Sequence, residues 1–125
     1  MTHSAVTIDQ ATAALRAREP IFHCPEFGTS RADFESMLAP EFWEVGASGR
    51  KYSKAFVLDT LEARHAVPVE ENLTVTDFVC EEIAPNLFLA TYALNQAGRL
   101  SRRATIWRYG EAQWQIVYHQ GTLIA

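Results

Sequence analysis

Two side chains stand where a proton could be given or taken, Glu44 and His119. Glu44 lies in the run Glu41-Phe42-Trp43-Glu44-Val45-Gly46, whose aromatic and β-branched content predicts a short strand. Alternation of side chains along a strand puts Glu44 on one face with Phe42 and Gly46. If that face looks into an apolar interior, loss of water raises the carboxyl pKa and fits it for general acid or base work. The alternative is a structural carboxylate that accepts hydrogen bonds from the 46–50 turn or pairs with an arginine. His119 falls near the end of the last predicted strand, and simple alternation places it with Val117 and Gln115. It could serve as acid, base or ligand anchor, or as a structural imidazole tying the strand end to a helix or to a dimer mate. Trp43, Tyr52, Tyr92, Trp107 and Tyr118 are candidates for a ligand-binding lining around Glu44 and His119, each with a polar handle at one end. The same aromatics at strand spacing also fit plain core or interface. Tyr92 should share a face with Phe88, Ala90 and Leu94, and Trp107 with Thr105 and Tyr109.

Other chemistries lack their motifs. His23, Cys24 and Glu26 offer donors close together, and His3 and His65 are isolated, but no HExxH or clustered Cys/His spacing supports a metal site. No GxSxG turn presents a nucleophilic serine, and no glycine-rich loop cradles phosphate. No cofactor is expected. Cys24 and Cys80 stand far apart in the chain, and free, partly buried thiols are the expectation, with a disulfide between them left open. That cysteine usage fits a reducing compartment. The net charge of −4 argues against nucleic acid and against a polybasic membrane anchor. Arg99, Arg102, Arg103 and Arg108 form a local exception, read as a solvated hairpin with charge-paired strand ends. Residues 1–10 lack the basic and apolar blocks of a signal peptide, and no apolar run has the length of a bilayer span. A cytoplasmic protein is the expectation.

The elements that must position these residues read in order. Thr7 and Gln10 have capping-box spacing, and Ile8, Ala11 and Leu15 give a helical face that runs to about Glu19 before Pro20. Pro20 opens a short turn through Phe22, and residues 23–30 read as a loop around Pro25 and Gly28. Ser30 caps a second helix with Asp33 in its first turn; Phe34, Met37 and Leu38 share a face and Pro40 ends it. After the strand 41–46, Ala47-Ser48-Gly49-Arg50 turns the chain and Lys51-Tyr52 returns as a partner. Ser53 then caps a helix to about Arg64, with Phe56, Val57 and Leu61 buried. Beyond Pro68 the pattern becomes strands at 73–83, 88–95, 100–109 and 114–119, joined at Pro85-Asn86, Ala97-Gly98 and Gly110-Glu111. Connectors this short mean antiparallel hairpins.

Helices first and a meander last make an α+β fold, with N-terminal helices packed on a curved, mostly antiparallel sheet in one domain spanning 1–125. The helices can cover only one face of such a sheet. The other face would expose apolar side chains unless a second copy covers it, so a homodimer through the sheet is expected.

Three segments carry a resemblance. The run Leu38-Ala39-Pro40-Glu41-Phe42-Trp43-Glu44-Val45-Gly46-Ala47-Ser48-Gly49-Arg50, the helix Ser53 to Arg64, and the ending Trp114-Gln115-Ile116-Val117-Tyr118-His119-Gln120-Gly121-Thr122 resemble small domains of the nuclear transport factor 2-like superfamily. The resemblance covers nearly the whole chain in order and length. It implies a conical cavity between helices and concave sheet, and frequent dimerisation. The superfamily includes ketosteroid isomerases, dehydratases, polyketide cyclases and the association domain of calmodulin-dependent kinase, so fold alone leaves function open. Isomerase-type members place a catalytic aspartate just after the first strand. Gly46 occupies that position here, with Ala47 where a proline often stands, which disfavours ketosteroid isomerase activity. Three functions follow as expectations: a domain that binds a small apolar or amphipathic molecule in the cone, a cofactor-independent isomerase, dehydratase or cyclase, or a purely dimerising interaction module.

Overall fold

The computed structural model describes residues 3–65 and 72–124, so Pro68, the expected boundary between helices and meander, lies outside the described residues. The first helix forms where its cap demands it. The Thr7 hydroxyl accepts from Gln10 N–H, the Gln10 side chain accepts from Thr7 N–H, and α1 runs Ile8–Arg18 with Ala11 and Leu15 buried. A turn closed by His23 N–H on the Pro20 carbonyl carries Ile21 and Phe22 inward, and a single 3₁₀ turn follows at Pro25–Phe27. A second capping box, Ser30 with Asp33, starts α2 at Arg31–Met37. Ser53 Oγ accepts from Phe56 N–H at 3.2 Å to begin α3, Lys54–His65.

Pro40 does not terminate α2 directly. The helix ends at Met37 and β1 begins at once, Leu38–Val45, three residues earlier than the sequence pattern suggests. Proline is tolerated there because the pairing of β1 with its neighbour is irregular between Leu38 and Trp43. The remaining strands are β2 Lys51–Ser53, β3 Leu73–Ala84, β4 Leu87–Gln96, β5 Arg99–Gly110 and β6 Gln113–Leu123. They form one six-stranded sheet in the order β2-β1-β6-β5-β4-β3. Among the described residues, only the β1–β6 pair is parallel; the other pairs are antiparallel. The last hairpin turns at Glu111-Ala112, one residue later than Gly110-Glu111, with φ of 53° and 58°. Two left-handed residues give the turn whose twist matches its strands, even with no glycine present.

Phe34 of α2 and Val57, Leu58 and Leu61 of α3 pack on Leu38, Phe42, Trp107 and Ile116 of the sheet, while Ala11 and Leu15 of α1 complete the same core. Along β4 the expected alternation holds: Phe88, Ala90, Tyr92 and Leu94 are buried under the helices. Trp107 likewise shares the inner face with Thr105 and Tyr109. In β6 alternation breaks. Ile106 pairs with Tyr118 but Trp107 pairs with Ile116, so Val117 is an extra residue in the strand. Trp114 and Ile116 face inward before this bulge, and His119 and Gly121 face inward after it. His119 therefore shares its face with Ile116 rather than with Val117 and Gln115, and Tyr118 turns to the outer face. Among the described residues, no helix is long and apolar enough to cross a membrane.

Candidate functional site

One rung of the sheet carries three polar side chains side by side. Glu44 of β1 pairs with His119 of β6, and His119 pairs with Thr105 of β5. Over this rung, α3 and the Ile21-Phe22 turn roof a hollow of about 360 Å³. Glu44, Tyr52, Arg64, Arg103 and His119 supply its polar wall, with Phe22, Phe56, Val57 and Leu61 supplying the apolar one. A smaller hollow of about 190 Å³ lies on the other side of Ile21 and Phe22, lined mainly by Phe27, Phe34, Met37, Trp107, Trp114 and Ile116. The larger one holds Glu44, Arg64, Arg103 and His119.

Glu44 reaches this hollow as alternation requires. Burial raises its carboxyl pKa, and the positive charges of Arg103 and Arg64 oppose the rise. Tyr52 stacks on Phe56, ring centroids 4.8 Å apart. Its ring occupies the space beside Gly46, where any Cβ would come within 2.8 Å of Tyr52 Cε2. The position of the isomerase-type aspartate is thus filled by the tyrosine ring.

His119 is 3 % exposed. Its Nδ1 lies 3.0 Å from Thr105 Oγ1 and its Nε2 lies 3.4 Å from Arg103 Nη1. A guanidinium can only donate, so Nε2 accepts, and Nδ1 carries the proton and donates to Thr105. Burial, with Arg103 and then His23 adding to it, pulls the imidazole pKa down to about 3. The ring is neutral at physiological pH. Arg103 is held by Ser101 Oγ of its own strand at 3.0 Å and by Gln96 Oε1 of β4 at 3.2 Å. Gly121 makes room for it, since a Cβ there would lie 3.0 Å from Arg103 Nε. Arg103 thus belongs to the hollow and not to a solvated hairpin, whereas Arg108 does pair outward, with Glu41 at 2.8 Å.

The sequence pattern points past one group altogether. Glu19, the residue that closes α1, is 5 % exposed. Tyr92 Oη donates to its Oε1 at 2.8 Å, Trp107 Nε1 to its Oε2 at 3.0 Å, and Ile21 N–H to Oε1 at 3.1 Å. The Thr105 hydroxyl is a further donor to it. Burial nevertheless dominates and pushes the Glu19 carboxyl up to about 7. No local signal marks Glu19 in the sequence, because it follows Arg16 and Arg18 and precedes Pro20-Ile21-Phe22, and its burial depends on partners distant in the chain.

Tyr92 and Trp107, expected in a ligand lining, are instead buried hydrogen-bond partners of Glu19, and Trp107 also walls the smaller hollow. Trp43 and Tyr118 are on the outer face, their rings 4.6 Å apart, so neither lines the hollow. They leave it because Trp43 is one residue out of phase with Glu44 and because the Val117 bulge rotates Tyr118 outward. Among the described residues no group of three His, Cys, Asp or Glu side chains could hold a metal ion. Cys24 and Cys80 are not joined in a disulfide.

No protein-family model matches the chain, and no curated protein matches it. Solved structures do. An NTF2-like protein from Cytophaga hutchinsonii superposes with a TM-score of 0.72 at 11% identity, covering 93% of this chain and 97% of its own. A candidate ketosteroid isomerase from Parabacteroides distasonis superposes at 0.70 with 12% identity, covering 98% and 96%. A candidate calcium/calmodulin-dependent kinase II association domain from Exiguobacterium sibiricum superposes at 0.65 with 17% identity, covering 100% and 98%. The chain has the nuclear transport factor 2-like, cystatin-like α+β fold.

Proposed function

We propose that this domain binds a small amphipathic molecule in the hollow beneath α3. The observation that carries the reading is the division of that hollow into an apolar wall on Phe22, Phe56, Val57 and Leu61 and a polar wall on Glu44, Arg64, Arg103 and His119. Its volume of about 360 Å³ lies at the small end of ligand pockets, roughly 300–1,000 Å³. Two guanidinium groups against one carboxylate favour a ligand with an anionic end. The test is thermal denaturation against a panel of short-chain and aromatic monocarboxylic acids and their amides. Acids should raise the melting temperature more than the matched amides. Thr60→Trp, which fills the hollow from its α3 wall, should abolish the rise while the protein stays folded. Equal shifts in the variant and the parent would mean that the ligand sits elsewhere.

Glu44 and His119 as neighbours on one rung support a second reading, cofactor-independent isomerase, dehydratase or cyclase chemistry. In it Glu44 exchanges a proton with the ligand and neutral His119 accepts one from it or orients it. On a turned-over substrate, Glu44→Gln should then lower kcat by at least about a hundredfold. A variant with unchanged kcat would leave binding as the whole function.

The outer sheet face fits contact with a second copy of the chain. Val79 and Trp43 are 49% and 39% exposed there, next to Leu89 and Ile106. Sedimentation should give a dimer, and Ile106→Glu a folded monomer. A monomeric parent protein at high micromolar concentration would exclude this part of the reading.

A further inference from the structure

The hydrogen bonds that run inward from the hollow form a continuous line. Arg103 Nη1 meets His119 Nε2, His119 Nδ1 meets Thr105 Oγ1, and the Thr105 hydroxyl meets the Glu19 carboxylate. All the donors along it point one way. Arg103 donates to Nε2, Nδ1–H donates to Thr105, and Thr105 O–H donates to Glu19. His119 and Thr105 each carry one mobile proton, so the two links from His119 to Glu19 reverse together, whereas Arg103 can only donate. Tyr92 and Trp107, the other side-chain donors to Glu19, end there, and among the described residues no other side chain donates to Glu19 from the hollow.

We infer that Glu19 is a buried proton store for the hollow, reached through Thr105 and His119, so that His119 changes tautomer and not charge when a proton enters. The step balances. A hydronium ion from water entering the hollow gives a proton to His119 Nε2, its O–H bond breaking to leave water as the Nε2–H bond forms. The Nδ1–H bond breaks as its proton moves to Thr105 Oγ1. The former Thr105 proton moves to Glu19, forming the carboxylic acid. One proton enters, the imidazole is neutral before and after, and the charge on Glu19 rises from −1 to zero. Arg103 then faces an N–H instead of a lone pair. Ser101 and Gln96 still hold its Nε and Nη2, and Nη1 is released toward the hollow.

The surroundings suit this route. His119 feels Arg103 and His23, both of which disfavour a second proton on the ring. Glu44 stands on the same rung from β1. Burial raises the Tyr92 phenol, the Glu19 charge adds to the rise and Arg103 opposes it, so Tyr92 keeps its proton. Arg18 adjoins Glu19 in the chain and turns away to the Ala14 carbonyl at 2.8 Å. Glu19 is raised by burial to about 7, a value at which it can both take and return a proton near neutral pH. Glu19 is a positioning and storage group in this scheme, since it acts only through His119. The inference requires no identified ligand and is separable from the binding reading.

The test is nitrogen NMR of the whole protein with ¹⁵N-labelled histidine, with His119 assigned by His119→Gln. Ring nitrogen shifts distinguish the two neutral tautomers from each other and from imidazolium. Between pH 5.5 and 8.5, His119 should stay neutral and pass from Nδ1–H to Nε2–H as pH falls through the Glu19 midpoint. Glu19→Gln should leave one tautomer at every pH. Should that variant fail to fold, Thr105→Val cuts the line at nearly constant volume. In it, Glu19 should still titrate by ¹³C carboxyl shift while the His119 tautomer no longer follows. A His119 ring that keeps one tautomer throughout in the parent protein overturns the inference. So does an imidazolium signal over that range, or a tautomer change that survives Thr105→Val.

Discussion

Replacing Glu19 by glutamine should expose a pH dependence of stability that the parent protein hides between pH 4.5 and 6.5. Two buried groups with opposite shifts set that dependence. The Glu19 carboxyl rises from its ordinary 4.5 to about 7 in the fold. A raised carboxyl pKa means that the folded state holds a proton the unfolded chain has released. Its contribution is fully present below pH 4.5 and is lost as pH climbs to about 7. The His119 imidazole falls from 6.5 to about 3. Its contribution is present above pH 6.5 and is lost as pH falls toward 3. Between pH 4.5 and 6.5 the two slopes are equal and opposite, about 1.4 kcal/mol per pH unit each, so they cancel. Glu19→Gln removes one of them. Relative to the parent, the variant should then gain about 3 kcal/mol of stability between pH 4.5 and 6.5. Urea denaturation at three pH values in that window measures this directly, and the difference between the two proteins cancels every other titrating group. Parallel stability curves for the two proteins would refute the burial argument for Glu19.

Three further outcomes follow from packing. Gly46→Asp should not supply an isomerase-type base but should destabilise by about 1–3 kcal/mol in urea, because its Cβ would meet the Tyr52 ring at 2.8 Å; adding Tyr52→Ala should recover part of the loss. Gly121→Ala should displace Arg103, whose Nε would lie 3.0 Å from the new Cβ, and the melting-temperature shift given by carboxylic acids should fall while that of their amides stays as it was. Phe34→Ala, at a side chain only 1% exposed, should cost about 3–5 kcal/mol by denaturant titration, with no change in the His119 tautomer because the ring lies under α2 and away from the Thr105 line.

Local rules were enough for most of the architecture. The capping boxes at Thr7 and Ser30, the Ser53 cap and the alternation of Phe88, Ala90, Tyr92 and Leu94 each depend on residues within a few positions of one another. The order of helices before a meander follows from them, and so does the α+β class. The phase of Glu44 with Phe42 was also legible, since it depends only on one short strand, while which face of that strand turns inward was not.

What the chain alone did not settle depends on one-residue offsets and on partners distant in sequence. The extra residue at Val117 exists because β5 and β6 must pair on both sides of it, and it decides that His119 faces the hollow and Tyr118 does not. The turn at Glu111-Ala112 is likewise selected by pairing, not by a glycine. Arg103 reads as a hairpin charge until Gly121 and Gln96 are brought beside it. Glu19 meets Tyr92, Thr105 and Trp107, all more than seventy positions away. Propensity and periodicity, which act over a few residues, determined the elements; the burial of charge, which depends on everything that closes over a residue, was decided only when the sheet and helices came together.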